Sequence, residues 1–502
     1  MTALKRLIMA VVATAMTATA ATAQQLPKRE FRGAWIPTVG DRYYATHTTE
    51  QNKAYLLGML DSIKATGCNV VIFHCRPQAD AFYPSRLEPW SVWISGKPGV
   101  GPDPAWDPME FMVEESHKRG MELHAWINPY RVGYPRQIAD SSLCRQHPEW
   151  FLEYAGQTYF DPAYPECRDH INSVVGDIVA RYDVDAIHMD DFFYPYPKDG
   201  MEFPDTASYN RYGIGWERGD WRRHNVDLLI EGMHRTIVSE KPWVRLGISP
   251  FGIWRNKSTD ANGSDTHGLQ CYDALYADCP KWTGMGWVDY LVPQLYWQLE
   301  HKAASDSVLF SWWNSHANGR HMVYGLAIRN TMDYAALDGS NSPTQLAQKM
   351  RMMRSLDHVQ GVVWWPCYDI SSNYKGFADS LITREQRNVA LPPAYQWIDG
   401  GHAPAAPAGL RVARGGDGKV LHWEAPKADR PMQEARFYVI YRFGSKEPVD
   451  LNRSDAVVGI TGETSFAIPK QKGVKGKHRF VVTTLNRCNT ESASGATIDV
   501  KL

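Results

Sequence analysis

The sequence of 502 residues predicts an α/β fold, a (β/α)8 TIM barrel, followed by a small all-β sandwich. Eight short apolar segments alternate with amphipathic helical segments, and the loops after the strands are longer than those before them. Residues 408–502 then change to short alternating segments separated by turns. An open doubly wound sheet is the alternative, but it would carry a glycine-rich phosphate loop after an early strand, which this sequence lacks.

The predicted strands are short and rich in β-branched and aromatic residues, as expected of parallel strands covered by helices. They are residues 31–38, 69–76, 122–130, 185–193, 245–254, 289–298, 321–330 and 360–369. Apolar residues spaced three and four apart predict helices between them. The clearest are residues 50–66, 107–119, 168–181, 222–240, 343–356 and 374–387.

Loop lengths indicate which end of the barrel carries function. The helix-to-strand connections are short, as at residues 65–68 and 118–121. The strand-to-helix loops are long, at residues 77–106, 131–167, 194–221 and 255–270. Because such barrels build their active sites on the loops after the strands, we expect the site at the carboxyl ends of the strands.

Composition sets the domain boundaries. The barrel is predicted to occupy residues 27–399. Residues 400–407 are rich in Gly, Ala and Pro and are predicted to be a linker. Residues 408–502 contain about seven short segments typical of an antiparallel sandwich. This part resembles a fibronectin type III module, with Trp423 and Tyr441 matching its core aromatic residues. The resemblance implies a spacer or a docking unit, including contact with an envelope protein partner, and no catalysis.

Charge and aromatic content narrow the class of ligand. Lys and Arg total 54 against 55 Asp and Glu, so the formal net charge is −1. The chain therefore lacks the excess of positive charge that is typical of nucleic-acid-binding proteins. Apolar residues make up 44% of the chain, which excludes a disordered protein. The 19 Trp, 25 Tyr and 16 Phe are a generous supply of the flat rings on which sugars stack.

The amino terminus is typical of an export signal. Lys5 and Arg6 precede an uncharged segment that ends in the small residues Ala21-Thr22-Ala23. Residues 1–23 are therefore predicted to be a cleaved signal peptide, and the protein to be periplasmic or extracellular. The first segment is too short and too rich in Ala and Thr for a membrane anchor, and no integral membrane segment is expected elsewhere.

The eight cysteines show no CxxC pair and little support for a zinc site. Cys75 and Cys367 lie inside predicted strands, where buried free thiols are expected. If disulfides form, the pairs to test are Cys144 with Cys167 and Cys271 with Cys279.

The densest polar cluster at a predicted strand end is His188-Met189-Asp190-Asp191, followed by aromatic residues. His188 and Asp190 share one face of the strand, and Asp191 points the other way unless the backbone turns. Two neighbouring carboxyl groups beside aromatic rings repel and desolvate each other, which raises the pKa of one of them. The group with the raised pKa can act as a general acid while the other, ionised, acts as nucleophile or base. An aspartate that caps or pairs at the barrel rim is the structural alternative.

Polar and aromatic side chains also end other strands, in the combination that suits a carbohydrate. Arg76 is predicted either to grip the substrate or to pair at the rim with Asp80 or a strand-four aspartate. A second catalytic carboxyl is Asp191, Glu300 or Asp369. The further predicted substrate-binding residues are Arg76, Asp80, Trp126, Asn128, Tyr130, Arg131, His188, Tyr194, Gln294, Tyr296, Trp297, Trp365 and Asp369.

Three histidines, His74, His124 and His188, fall on the inferred inward faces, which raises a metal-dependent polysaccharide deacetylase as an alternative. Metal barrels commonly carry His-x-His on one strand, and this sequence has none there. Histidines that hydrogen-bond carboxylates and sugar hydroxyls are preferred, so no metal or cofactor is expected.

Several of these segments together resemble the glycosyl hydrolase-like family ten. They are FRGAWIPT, RPQADAFYPS, HAWINPYR, HPEW, IHMDDFFYP, ISPFGIWRN and VPQLYW, and the match spans roughly residues 29–385. The resemblance implies an exported bacterial glycosidase-type barrel whose strand-four aspartate pair is Asp190 and Asp191. It also implies a bacterial or environmental glycan as substrate, with the glycan strands of peptidoglycan a leading candidate.

The sequence therefore predicts an exported glycoside hydrolase with Asp190 as nucleophile or base and Asp191 or Glu300 as proton donor. The non-enzymatic alternative is a glycan-binding protein on a barrel that has lost activity, with the sandwich as an adaptor. The hydrolase, the glycan-binding protein and the deacetylase are distinguishable by experiment.

Overall fold

The computed structural model describes residues 26–416, 418–470 and 474–502, so the predicted signal peptide, residues 1–23, lies outside the described residues. Parallel strands close into the predicted TIM barrel, because the last barrel strand pairs with the first and the sixth pairs with both its neighbours. The barrel strands are β1 (Phe31–Ile36), β2 (Val70–Arg76), β3 (Glu122–Ile127), β4 (Ala186–Met189), β5 (Arg245–Ile248), β6 (Tyr290–Leu291, continued by Gln294–Leu295), β7 (His321–Ala327) and β8 (Val359–Trp365).

Helices cover the outside of the barrel. The main ones are Thr49–Ala65, Pro108–Lys118, Pro165–Arg181, Arg218–Glu240, Asp306–Ser315 and Leu346–Arg354. Shorter α-helices are Tyr43–Thr46, Val92–Ser95, Leu143–Gln146, Thr206–Tyr212, Cys271–Ala274, Cys279–Gly284, Ile328–Met332, Cys367–Ser371, Phe377–Ser380 and Gln396–Asp399. The helix predicted at residues 374–387 starts only at Phe377, because Lys375 and Gly376 before it have left-handed φ values of 48° and 75°, and it continues as a π-helical turn over Leu381–Glu385.

Side-chain caps start the helices where the sequence changes from loop to amphipathic pattern. The Thr48 hydroxyl accepts the backbone N–H of Gln51, and the Gln51 side chain accepts that of Thr48, a capping box. Asp107 caps the next helix by accepting two backbone N–H groups, with Pro108 in its first turn. These caps fix where the short loops end and the helices begin.

The long loop after β3 folds into a small antiparallel sheet that the sequence did not predict. Its strands are Arg131–Gly133, Phe151–Tyr154 and Gln157–Phe160. The first of them pairs with the last, which places Arg131 opposite Tyr159 at the carboxyl end of the barrel.

The carboxyl-terminal strands form two antiparallel sheets. One contains Ala408–Gly415, Gly418–Glu424 and Ser465–Ala467, and the other Val457–Thr461, Ala435–Gly444, Lys477–Asn486 and Ala496–Lys501. We call residues 408–502 the C-terminal unit. Trp423 and Tyr441 are both buried in it, in separate clusters.

The C-terminal unit packs on the amino ends of the barrel strands, which we call the barrel floor. Arg436 donates to Asp185 at 2.7 Å and to Asp183 at 2.8 Å, and Arg487 donates to Asp183 at 2.7 Å. A Cβ atom on Gly120 would lie 2.4 Å from the carbonyl oxygen of Ile460, so the two parts are in close backbone contact. The unit is therefore docked on the barrel, against residues immediately before β3 and β4.

All eight cysteines are buried free thiols, including Cys75 and Cys367 inside barrel elements. Neither of the two pairs named from the sequence is bridged in the structure. No helix in the described ranges is long and apolar enough to cross a membrane.

Candidate active site

A cavity of about 420 Å³ opens at the carboxyl ends of the barrel strands. This is the end at which the long loops predict a site. The residues that line it are Trp35, Pro37, Val39, His74, Trp126, Arg131, Asp190, Asp191, Phe192, Tyr196, Ser249, Gln294, Tyr296 and Trp365. Seven of the residues predicted from the sequence are thus brought together: Trp126, Arg131, Asp190, Asp191, Gln294, Tyr296 and Trp365.

The two aspartates emerge directly after β4, which ends at Met189. Both side chains are buried, with 7% of Asp190 and 3% of Asp191 exposed. The Asp191 carboxylate accepts hydrogen bonds from the Tyr196 hydroxyl and from the Gln294 side-chain amide. Asp190 is held differently, because its buried Oδ1 has no partner among the described residues.

These surroundings separate the protonation states of the two carboxyls. Burial raises the pKa of Asp190 well above its ordinary value, and the neighbouring Asp191 charge raises it further, against a smaller effect of Arg131. Burial also raises the pKa of Asp191, but the hydrogen bonds from Tyr196 and Gln294 favour its charged form. The donors around Asp191 therefore stabilise a negative charge there better than the surroundings of Asp190 do.

Three tryptophans wall the cavity. The ring of Trp365 meets those of Trp35 and Trp126 edge-on, each at a centroid distance of 6.3 Å. His74 stacks on Trp126 at 3.8 Å, and Asn128 donates to its Nε2 at 3.2 Å. Such flat, rigid walls beside a few polar groups suit the apolar face of a sugar ring.

Arg131 and Tyr296 supply polar atoms to the cavity. The Arg131 guanidinium lies 4.6 Å from the centre of the Phe192 ring, and it donates to the carbonyl of Pro77 at 3.2 Å. Burial raises the pKa of Tyr296, and the two aspartates add to this effect. Tyr296 therefore keeps its proton and can donate a hydrogen bond to a ligand.

The interpretation of Arg76 needs correction. Its guanidinium is fully buried and forms a two-pronged ion pair with Glu88, at 2.5 and 2.7 Å. Arg76 is therefore not free to bind a substrate, and its ion-pair partner is Glu88 rather than Asp80 or a strand-four aspartate. Glu88 lies in the long loop after β2, and sequence spacing gives no sign that this loop folds back over the strand end.

Other predicted binding residues also lie away from the cavity lining. Asp369 pairs with Arg329 at 3.0 Å, and Glu300 is exposed in the loop after β6. Burial raises the pKa of Asp80 to about 7, with Ser91 as its hydrogen-bond partner. Four further predicted substrate-binding residues pack against other side chains instead. Asn128 lies behind His74, and Trp297 packs edge-on against Phe251. Tyr130 and Tyr194 lie in the layer between the barrel and the helices.

His188 faces the barrel interior as predicted, but it contacts Trp35 and Tyr290 rather than the cavity. His124 also lies there, beside Tyr290 and Glu122. Within the described residues, no group of three or more His, Cys, Asp or Glu side chains is arranged to hold a metal ion.

Comparison with known proteins matches residues 30–335 to the model of the family described as glycosyl hydrolase-like 10. The chain belongs to this family. It is 36% identical over 479 residues to glycosyl hydrolase YngK of Bacillus subtilis, covering 92% of each chain. It is 38% identical over 316 residues to glycosyl hydrolase DigH of Escherichia coli, covering 58% of this chain and 71% of DigH. Among solved structures, it is similar to the PgaB (BpsB) glycoside hydrolase domain of Bordetella bronchiseptica, at 13% identity and a TM-score of 0.46, over 73% of this chain and 100% of that one.

Membership of glycosyl hydrolase-like 10 confirms the resemblance drawn from the sequence motifs, and it supports a carbohydrate as substrate. In this member of the family, the sequence interpretation missed cavity residues of two kinds. Trp35 is the penultimate residue of β1 and Pro37 directly follows the strand, so their position in FRGAWIPT was a usable signal. Tyr196 and Ser249 lie in loops, where no periodicity indicates which way a side chain points.

Proposed function

We propose that this protein is an exported glycoside hydrolase that cleaves O-glycosidic bonds by carboxylate acid–base catalysis. One observation carries the proposal: two buried, neighbouring carboxyl groups in unlike surroundings line an aromatic cavity at the active end of a TIM barrel. One carboxyl protonates the leaving oxygen while the other acts as nucleophile or base. Membership of the glycosyl hydrolase-like 10 family supports the same class of reaction.

The hydrogen bonds favour one assignment within the pair. Asp190 is the proton donor, because it lacks a partner on Oδ1 and holds the proton. Asp191 is the nucleophile or base, because Tyr196 and Gln294 stabilise its charged form. This reverses the order expected from the sequence. Glu300 has no part in it, since it is exposed and does not line the cavity.

The substrate is a bacterial or environmental glycan, with the glycan strands of peptidoglycan the leading candidate. Aromatic platforms beside Asp, Gln and Arg support a sugar ligand. Export through a cleaved signal peptide at residues 1–23 gives access to such a glycan. The barrel domain is residues 27–399 with a linker at 400–407, and the C-terminal unit is a fibronectin type III-like module, a proposal that its two antiparallel sheets support.

The test is incubation of the full chain with purified peptidoglycan, with peptide-free glycan strands and with a panel of plant and host polysaccharides. Products are read by mass and by reducing-end assay. We expect new reducing ends from at least one glycan, peptidoglycan strands first. Binding to a glycan with no reducing end released from any panel member would favour a binding protein, and release of acetate alone would favour a deacetylase.

The pH profile gives a second check on the assignment. Activity should fall on the alkaline side as Asp190 loses its proton, and on the acid side as Asp191 gains one. Because the pKa of each group is raised, both limbs should lie above the ordinary aspartate pKa of 3.8. Tyr196→Phe removes a hydrogen bond to charged Asp191, so the acid limb of kcat/KM should move up by about one pH unit.

Tyr182→Phe is the matched control, because it removes a tyrosine–aspartate hydrogen bond of 2.7 Å to Asp107, outside the cavity. It should leave both limbs in place. An acid limb that Tyr196→Phe leaves unmoved would contradict the role of Asp191.

A further inference from the structure

A continuous column of buried polar side chains crosses the barrel interior from the cavity to the floor. Trp35 donates its indole Nε1–H to His188 Nε2 at 3.2 Å, and His188 Nδ1 lies 3.0 Å from the Tyr290 hydroxyl. The same hydroxyl lies 2.7 Å from His124 Nδ1, and His124 Nε2 lies 3.3 Å from Glu122. None of these five side chains is more than 2% exposed.

The chemistry of the first residue fixes the direction of every hydrogen bond in the column. An indole can only donate, so His188 accepts at Nε2 and carries its proton on Nδ1, which it donates to Tyr290. The Tyr290 hydroxyl then donates to His124 Nδ1, which leaves His124 with a proton on Nε2 to donate to Glu122. Protonating either histidine would leave a hydroxyl or an indole without an acceptor, and burial lowers the pKa of both.

The strands are shaped around this column. A Cβ atom on Gly247 of β5 would lie 1.9 Å from the Tyr290 ring, and one on Gly325 of β7 would lie 2.8 Å from Trp35. Glycine at both places leaves room for a large ring inside the barrel.

The floor end of the column is closed by the C-terminal unit. Glu122 accepts from Arg245 and, at 2.9 Å, from the side chain of Asn489. Arg245 in turn donates to the carbonyl of Arg487 at 3.1 Å. Asn489 is fully buried with a left-handed φ of 61°, at the connection between the last two strands of the unit.

We infer that Asn489 is a positioning residue for the cavity. Together with Arg245, this residue of the C-terminal unit anchors the Glu122 carboxylate that accepts from His124, and the column relays that position through His188 to Trp35 in the cavity wall. The C-terminal unit is on this view part of the catalytic body. The effect on turnover rests on the proposed function, whereas the tautomers of the column do not.

The test uses Asn489→Gly in the full chain, because glycine keeps the left-handed backbone while removing the side chain. Ser454→Ala is the control, since the Ser454 hydroxyl lies in the same interface, where it accepts from the Asn388 side chain at 3.1 Å, outside the column. The readout is ¹⁵N NMR of the histidine rings and of the Trp35 indole, assigned with His124→Gln, His188→Gln and Trp35→Phe.

In the wild type we expect neutral His188 protonated on Nδ1 and neutral His124 protonated on Nε2 at neutral pH, because burial lowers the pKa of both. Asn489→Gly should shift the resonances of both histidines and of the Trp35 indole, and lower kcat/KM about tenfold. Ser454→Ala should do neither. Tyr290→Phe, which breaks the column at its middle without changing the fold's shape, should shift the same three side chains.

Two results would overturn the inference. One is a wild-type His188 protonated on Nε2, which forbids the bond from Trp35. The other is an Asn489→Gly variant whose perturbation stops at His124 and leaves Trp35 as it was. Either can be observed in a protein that hydrolyses none of the glycans tried, so failure here is distinguishable from failure of the proposed function.

Discussion

Asp190→Asn is expected to lower kcat for glycan hydrolysis by about 10³-fold while leaving the affinity for the glycan within a few-fold. The variant has nearly the same shape, but an amide cannot deliver a proton to the leaving oxygen. Because Asp190 holds the proton in the wild type, the substitution exchanges one neutral group for another and leaves the charge of the pair unchanged. We expect binding to depend mainly on the aromatic walls, which the substitution does not touch.

The measurement is kcat by reducing-end release together with the dissociation constant from calorimetry on the same oligosaccharide. Glu300→Gln serves as the comparison, since it changes a carboxyl to an amide on an exposed side chain outside the cavity. We expect its kcat within about twofold of the wild type. A large loss with Glu300→Gln and a small one with Asp190→Asn would return the proton donor to the loop after β6.

Gly247→Ala is expected to lower the free energy of unfolding by about 3 kcal/mol or more. The added methyl would sit 1.9 Å from the Cζ atom of Tyr290, well inside contact distance. The ring cannot move aside, because two histidines hold its hydroxyl at 2.7 and 3.0 Å and the barrel encloses it. The strand itself must shift, and with it the ladder to β4 and β6.

Gly58→Ala is the matched control, an identical change at a glycine with nothing within 4 Å of its added Cβ, inside the helix Thr49–Ala65. It should raise stability by about 0.5–1 kcal/mol because alanine costs less backbone entropy in a helix. Urea denaturation followed by circular dichroism measures both. Equal stability of the two variants would show that the barrel interior has free volume at Tyr290.

The barrel could be predicted for two reasons. The hydrophobic pattern has a different period in its strands and in its helices, and the strand-to-helix loops are longer than the helix-to-strand loops. β1 begins at residue 31 and β3 at residue 122, as predicted. The ends could not be predicted as well: strands expected to reach residues 193 and 254 end at Met189 and Ile248. Apolar and aromatic residues continue beyond both ends because Phe193 and Ile253 pack into the core outside the hydrogen-bonded ladder, so composition does not mark where the ladder stops.

The candidate site could be predicted only where strand position decides it. Asp190 and Asp191 follow directly from the end of β4, and Gln294 and Tyr296 from that of β6. Arg76 and His188 also lie on strands, yet their partners, Glu88 and Trp35, come from a folded-back loop and from a strand 153 positions away. Pairings of that kind depend on tertiary packing, which no local pattern encodes.

The C-terminal unit and the cavity lie at opposite poles of the barrel, one on the strand beginnings and the other beyond the strand ends. Ion pairs from Arg436 and Arg487 fix that arrangement, so the unit cannot swing round toward the opening. If the unit adheres to an immobile layer, the mouth of the same molecule points outward, away from it. The cavity would then bind glycan chains on the side of the molecule away from that layer, so attachment and hydrolysis would involve different stretches of polymer.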